Sequence, residues 1–181
     1  MVRRIFLALR LDEPAKEELL RVQKRFEGLP ARWTKKENLH ITLLFLGNAS
    51  EQELEATART TREVAARHKP FSFALSRIEP GPAPEELKMV WATGEAPKEL
   101  LLLKEDLEKA LAATPGLPFV LHVTLAKINE WELRKMDEDE RPEITGDLSL
   151  KVEVSSLEIM ESRLSRGRTE YSVVESVPLY P

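Results

Sequence analysis

Asn38-Leu39-His40-Ile41-Thr42-Leu43-Leu44-Phe45-Leu46-Gly47 is the stretch on which the fold turns. Its centre, His40-Ile41-Thr42-Leu43, returns in the second half of the chain as His122-Val123-Thr124-Leu125. Alternation of large apolar residues predicts a strand over 39–46 and another over 119–128, so each copy lies inside a strand. Successive side chains of a strand point to opposite faces, which gives each copy an imidazole and a hydroxyl on one face and two apolar side chains on the other. A lone His-x-Thr in a strand is ordinarily a polar edge or a satisfied core group. Here the two copies hold two of the chain's three histidines. If the halves pack as related lobes, two imidazoles and two hydroxyls converge on one cleft.

Outward from these copies, the pattern predicts a strand over 5–11 and a helix over 13–27 that ends at Gly28-Leu29-Pro30. After Gly47-Asn48, Ser50 and Glu53 have the spacing of a capping box and open a helix to about residue 67. Residues 71–78 and 88–93 read as a hairpin around Pro80-Gly81-Pro82-Ala83-Pro84. A helix over 100–112 ends at Pro115-Gly116, and a short one over 130–136 precedes the acidic run 137–140. Two long alternating segments, 148–161 and 170–177, predict an antiparallel hairpin joined by Ser162-Arg163-Leu164-Ser165-Arg166-Gly167-Arg168. Comparable shares of helix and strand, with hairpins between, argue for an α+β fold. There is no GxGxxG and no P-loop, so a doubly wound nucleotide fold has no support.

Composition narrows the function. The chain of 181 residues has 27 Lys and Arg against 31 Asp and Glu, a net charge of −4, and so no global basic field to draw in nucleic acid. RNA contact must rest on a local patch, and Arg163, Arg166 and Arg168 form the densest one. With no cysteine, thiol nucleophiles, disulfides and iron–sulfur ligation are excluded. The apolar run after Arg3-Arg4 is too short for a signal peptide, and none approaches the roughly eighteen apolar residues of a membrane span. A cytoplasmic monomer is expected. The paired motifs suit phosphodiester hydrolysis, because histidine, with a reference pKa of about 6.5, is available both neutral and protonated near neutrality. One imidazole takes a proton from water and the other gives one to the departing oxygen, while Thr42 and Thr124 hold the non-bridging oxygens. That chemistry calls for no metal and no cofactor.

These residues closely resemble the two-histidine (2H) phosphoesterase superfamily, and within it the RNA 2′,3′-cyclic phosphodiesterases, also called LigT-like proteins or 2′-5′ RNA ligases. The likeness spans nearly the whole chain: Arg4-Ile5-Phe6-Leu7-Ala8-Leu9 resembles the family's first strand, and 161–171 its C-terminal hairpin. It implies a single domain over 1–181 of two interleaved lobes, with two antiparallel sheets flanked by helices and related by a pseudo-two-fold around a central cleft. It also implies opening of RNA 2′,3′-cyclic phosphate ends to 2′-phosphomonoesters, with reverse ligation by the same pair. Carried over by motif, His40 and His122 are the acid–base pair and Thr42 and Thr124 bind phosphate. The near-symmetry of the copies leaves open which histidine is base; His122 as base and His40 as acid is the assignment adopted. Two departures stand out: Leu121 replaces a common proline, and Lys127 replaces a common phosphate-binding arginine, keeping the charge without the planar fork. Strict alternation puts Lys127 on the face opposite His122, so a phosphate role for it requires a bulge. Alternative readings are a non-catalytic RNA- or phosphate-binding protein, or a 2H enzyme acting on nucleotide cyclic phosphates or trimming RNA 3′ ends.

Among the remaining candidates, Trp33, Phe45, Trp91 and Tyr171 are possible stacking platforms for bases. Trp33 is the preferred one, whereas alternation assigns Phe45 to the core. His68, at a helix end, is expected to be structural, and the 137–140 run lacks the glycine and alternating ligands of a calcium loop.

Overall fold

A computed structural model describes residues 2–83, 86–113, 118–165 and 168–180. In chain order the elements are β1 (Arg3–Arg10), α1 (Glu13–Lys24), β2 (Ala31–Trp33), β3 (His40–Ala49), α2 (Glu51–Ala65), β4 (Phe71–Gly81) and β5 (Met89–Thr93). They continue as α3 (Lys98–Ala110), β6 (His122–Ile128), α4 (Glu130–Lys135), β7 (Gly146–Val154), β8 (Ser156–Ser165) and β9 (Arg168–Pro178). Two sheets result, with strand orders β3-β1-β8-β9 and β2-β6-β5-β4-β7, and the strand pairs are antiparallel. The α+β expectation holds.

Local chemistry explains the helix starts. Asp12 caps α1 through Ala15 N–H at 2.9 Å, and Ser50 with Glu53 forms the full capping box of α2. Each sheet turns one face to a shared core: Ile5, Leu7 and Leu9 of β1, Ile41 of β3, Val90 and Ala92 of β5, and Val123 and Leu125 of β6 are all buried in it. Truncating one such leucine to alanine costs about 2–5 kcal/mol. The opposite face of the first sheet carries a separate small cluster of Phe6, Ala8 and Met160 with Tyr171 against it. Helix α2 packs on β3, β8 and β9 of the first sheet, and α1 reaches β7 of the second.

Two sequence expectations need correction. The single alternating segment 148–161 is two strands: β7 pairs with β4, and after Ser155 the chain enters the other sheet, where β8 pairs with β1. Alternation reports which way side chains point and is blind to a change of partner. The three-residue β2 escaped notice because it is too short to show a period; it pairs with β6 through Trp33 and Ala126. The β8–β9 hairpin is as expected, although Arg166 and Gly167 at its turn lie outside the described residues. The 115–116 helix stop and Pro84 lie outside them as well.

Candidate active site

Strands β3 and β6 hold the two motifs: β3 lies at the edge of its sheet beside β1, and β6 lies between β5 and β2. Each pairing slips at the same point of the motif. Leu7 faces Leu44 and Ala8 faces Thr42, which leaves Leu43 as an extra residue. Val90 faces Ala126 and Trp91 faces Thr124, which leaves Leu125 as an extra residue. A bulge reverses the alternation beyond it. Leu43 and Leu44 are therefore both buried, as are Leu125 and Ala126, and the next residues, Phe45 and Lys127, emerge on the face of the histidines. Phe45 is 69% exposed rather than in the core, with its ring 5.9 Å from Phe6. The signal in the sequence was the adjacent apolar pair at 43–44 and again at 125–126.

Both imidazoles are tethered alike. His40 Nδ1 lies 2.7 Å from the Asn38 carbonyl and His122 Nδ1 2.8 Å from the Val120 carbonyl. A carbonyl only accepts, so each Nδ1 carries the hydrogen, and each neutral ring presents its lone pair at Nε2. Thr42 Oγ1 then donates to His40 Nε2 at 3.1 Å. His122 Nε2 has no hydrogen-bond partner among the described residues. Burial pushes His40 below the usual histidine range; the Asn38 carbonyl opposes this and the charge of His122 adds to it. Burial lowers His122 too, against the Val120 carbonyl. Strand β3 packs against β6, which puts the two motif strands side by side across the sheets.

The surroundings of the rings differ. Trp91 stacks on His122, whereas Phe6 and Tyr171 approach His40 tilted and edge-on. The Tyr171 hydroxyl is pushed up by burial and drawn down by Arg4 and Arg32. Beyond Tyr171 runs a groove of about 530 Å³ lined by Arg32, Trp33, Lys35, Asn38, Lys127 and Tyr171, among others. Arg32 was not singled out from the sequence, for it sits on the strand that sequence reading missed. Two carboxylates also escaped notice. Glu158, 1% exposed, accepts from the Ser156 and Ser176 hydroxyls at 2.9 Å each. Glu79 accepts from Thr93 Oγ1 at 2.8 Å.

Of the other candidates, Lys127 and Trp33 line the groove, with Trp33 half-buried against the core. Arg163 is not brought to the cleft. It shares a face of β8 with Glu161, opposite Tyr171's partner Ser162, and that buried carboxylate grips it in a two-point ion pair at 2.7 and 2.9 Å. Arg166 and the side chain of Arg168 lie outside the described residues. His68 is paired with Asp106 at 2.9 Å, a structural role as expected. No group of His, Asp and Glu among the described residues is gathered as a metal site requires. No helix among them is long and apolar enough to cross a membrane.

Comparison with known proteins places this geometry. The family described as LigT like phosphoesterase matches residues 9–85. A protein of Aeropyrum pernix named RNA 2′,3′-cyclic phosphodiesterase is 31% identical over 164 residues, covering 83% of this chain and 87% of its own. One of the same name from Methanothermobacter thermautotrophicus is 28% identical over 91% of this chain and 89% of its own. A crystal structure of a Thermus thermophilus protein superposes with a TM-score of 0.81 at 26% identity, covering 97% of each chain. Escherichia coli LigT complexed with 3′-AMP superposes with a TM-score of 0.77 over the full length of both chains, a likeness of fold at 23% identity. Two sheets with matched bulged motifs, and relatives that cover most of their own length, lead to one conclusion: the chain belongs to the LigT-like, two-histidine phosphoesterase family.

Proposed function

We propose that the protein opens 2′,3′-cyclic phosphate ends of RNA to 2′-phosphomonoesters, with residues 1–181 acting as one catalytic unit of two interleaved lobes. The observation that carries the reading is the pair of Nε2 atoms. Both are freed for proton transfer by an Nδ1–H tied to a backbone carbonyl, and both are offered from matched strands that also carry a hydroxyl. The names of the archaeal relatives supply the substrate class.

In this mechanism a water oxygen attacks phosphorus while His122 Nε2 takes its proton. The bond from phosphorus to O3′ breaks, and protonated His40 gives its Nε2 proton to O3′. The products are a 2′-phosphomonoester and a 3′-hydroxyl, and exchange with solvent resets the pair. His122 suits the base because its Nε2 is unengaged, whereas that of His40 is held by Thr42. Both rings are held below the usual histidine range in the free protein, so the negative charge of the bound phosphate is what keeps His40 protonated. Thr42 and Thr124 donate to the non-bridging oxygens, and Lys127 adds a positive charge on the His122 side. The Arg32–Lys127 groove, with Trp33 on its wall, suits the nucleotides upstream of the cyclic end. A 5′-hydroxyl in place of water makes a 2′-5′ linkage by the same transfers. Proton transfer within the pair needs no metal.

The test is a short RNA ending in a 2′,3′-cyclic phosphate, incubated in excess EDTA with wild type, His40→Ala and His122→Ala. A 2′-phosphate formed by wild type alone supports the reading. Binding without turnover, unchanged by either substitution, overturns it in favour of a phosphate-binding protein.

A further inference from the structure

The two histidines share a tether and differ in what lies against the ring. On the strand beside β3 the residue facing Thr42 is Ala8; on the strand beside β6 the residue facing Thr124 is Trp91. The Trp91 ring lies on His122 nearly face to face, with centroids 3.9 Å apart and planes inclined by 21°. His40 has no such partner among the described residues: Phe6 lies 5.2 Å away at 41° and Tyr171 5.0 Å away at 75°. The backbone makes room for the indole at Gly81, where a Cβ would fall 2.2 Å from Trp91 Cδ2. Trp91 is only 8% exposed, and its buried Nε1 finds no acceptor among the described residues. The indole is thus held by packing rather than by a hydrogen bond among the described residues, with one face laid against the His122 ring.

An aromatic face attracts a cation. A base is neutral at the start and cationic in the transition state, so a contact that favours the cation lowers its barrier; beneath an acid, which starts cationic, the same contact raises it. We propose that Trp91 is the positioning residue that makes His122 the base of the pair, holding its imidazole flat and stabilising the charge it gains from water. The proposal rests on the two-histidine reading given above. The charged groups on the same face include Arg77 and Glu79 of β4, Asp147 of β7, Lys127 of β6 and Arg32 of β2, with His40 opposite on β3; none is hydrogen-bonded to the His122 ring among the described residues.

The experiment measures turnover of a cyclic-phosphate RNA and follows the proton titration of both imidazoles by NMR. The proteins are wild type, Trp91→Leu and Trp91→Phe. Trp91→Leu is expected to lose about tenfold in kcat with KM within about twofold, and His122 should take its proton at lower pH. Trp91→Phe should recover most of both. Because the leucine variant loses packing, fluorinated tryptophans, which keep the shape and weaken the face, are incorporated into wild type and into Trp91→Phe, which retains Trp33 and Trp131. Turnover should fall with each added fluorine in wild type at constant Tm, and stay level in the Trp91→Phe control. Unchanged kcat and unchanged His122 titration in fluorinated wild type overturn the proposal, as does a shift at His40 instead. Failure of the hydrolase reading looks different: unsubstituted protein does not turn over, and the His122 titration alone then decides whether the stack favours the cation.

Discussion

Laid strand against strand, the two halves of the cleft match in their His-x-Thr strands and part company in what surrounds them. Each has a His-x-Thr strand, a neighbour paired to it with a bulge after the threonine, and a third strand beyond. Along that correspondence Glu158 answers to Glu79, each facing the residue that faces the threonine and each held by hydroxyl groups. The mismatches are Ala8 against Trp91 and Phe45 against Lys127. A cyclic phosphate is itself lopsided, with water arriving on one side and an alkoxide leaving on the other. On the proposed reading, the matched parts hold the phosphorus and the mismatched parts give the reaction its direction.

The comparison breaks most visibly at the histidines. His40→Ala and His122→Ala should each lower kcat by about 10³, within the range for positioned acid–base groups. The double variant should be little worse than either alone, because the two act as a unit; additive losses in single-turnover assays would separate their roles. Next come the hydroxyls. Thr124→Val should cost about 10² in kcat, as loss of one donor to a developing charge does. Thr42→Val should cost at least as much and also shift the titration of His40, since Thr42, and not Thr124, is bonded to a motif imidazole Nε2 among the described residues.

The pH dependence sharpens the contrast. For the free protein both proton affinities lie below the usual histidine value of 6.5, so the bell-shaped profile of kcat/KM should peak below 6.5, with kcat shifted upward by the bound phosphate. A monotonic rise with pH would overturn the assignment. The same shifts act on stability. Between the folded and unfolded pKa values the unfolded chain binds more protons, so stability is intact above about 6.5 and declines as pH falls through the folded values. Replacing His40 by Phe should make Tm less sensitive to acid over that window.

The smallest effects belong to the rims. Phe45→Ala should leave Tm unchanged, being 69% exposed, and raise KM severalfold by removal of a stacking surface. Lys127→Ala should raise KM in a way that salt diminishes, whereas the Phe45 effect should persist in salt. Equal salt dependence would erase the distinction between the rims.

Much of this was legible beforehand. The two motifs, the capping box at Ser50 and the β8–β9 hairpin follow from local pattern, because each depends on residues close in sequence. What escaped depends on partners. Phe45 was misassigned since strict alternation carries no memory of an extra residue, and the bulge at Leu43 exists only in relation to Leu7 and Ala8. The break at Ser155 is a change of sheet without a change of period. Arg163 belongs by sequence to the local basic patch expected to contact RNA, yet Glu161 two residues away claims it. Glu79 joins the site only through the pairing of β4 with β5, and Trp91, a candidate base-stacking platform in the sequence, lies buried on His122 instead through the pairing of β5 with β6.

The order β3-β1-β8-β9 has a consequence for synthesis. The first strand made sits in the middle of its sheet, and its second neighbour, β8, begins only at Ser156. Until then one long side of β1 stays an open edge with unpaired backbone groups, a template for wrong partners. The ribosome must therefore deliver the chain through β8 before the sheet that holds His40 can close. A chain cut short after Val154 should carry both motifs and still aggregate rather than process RNA.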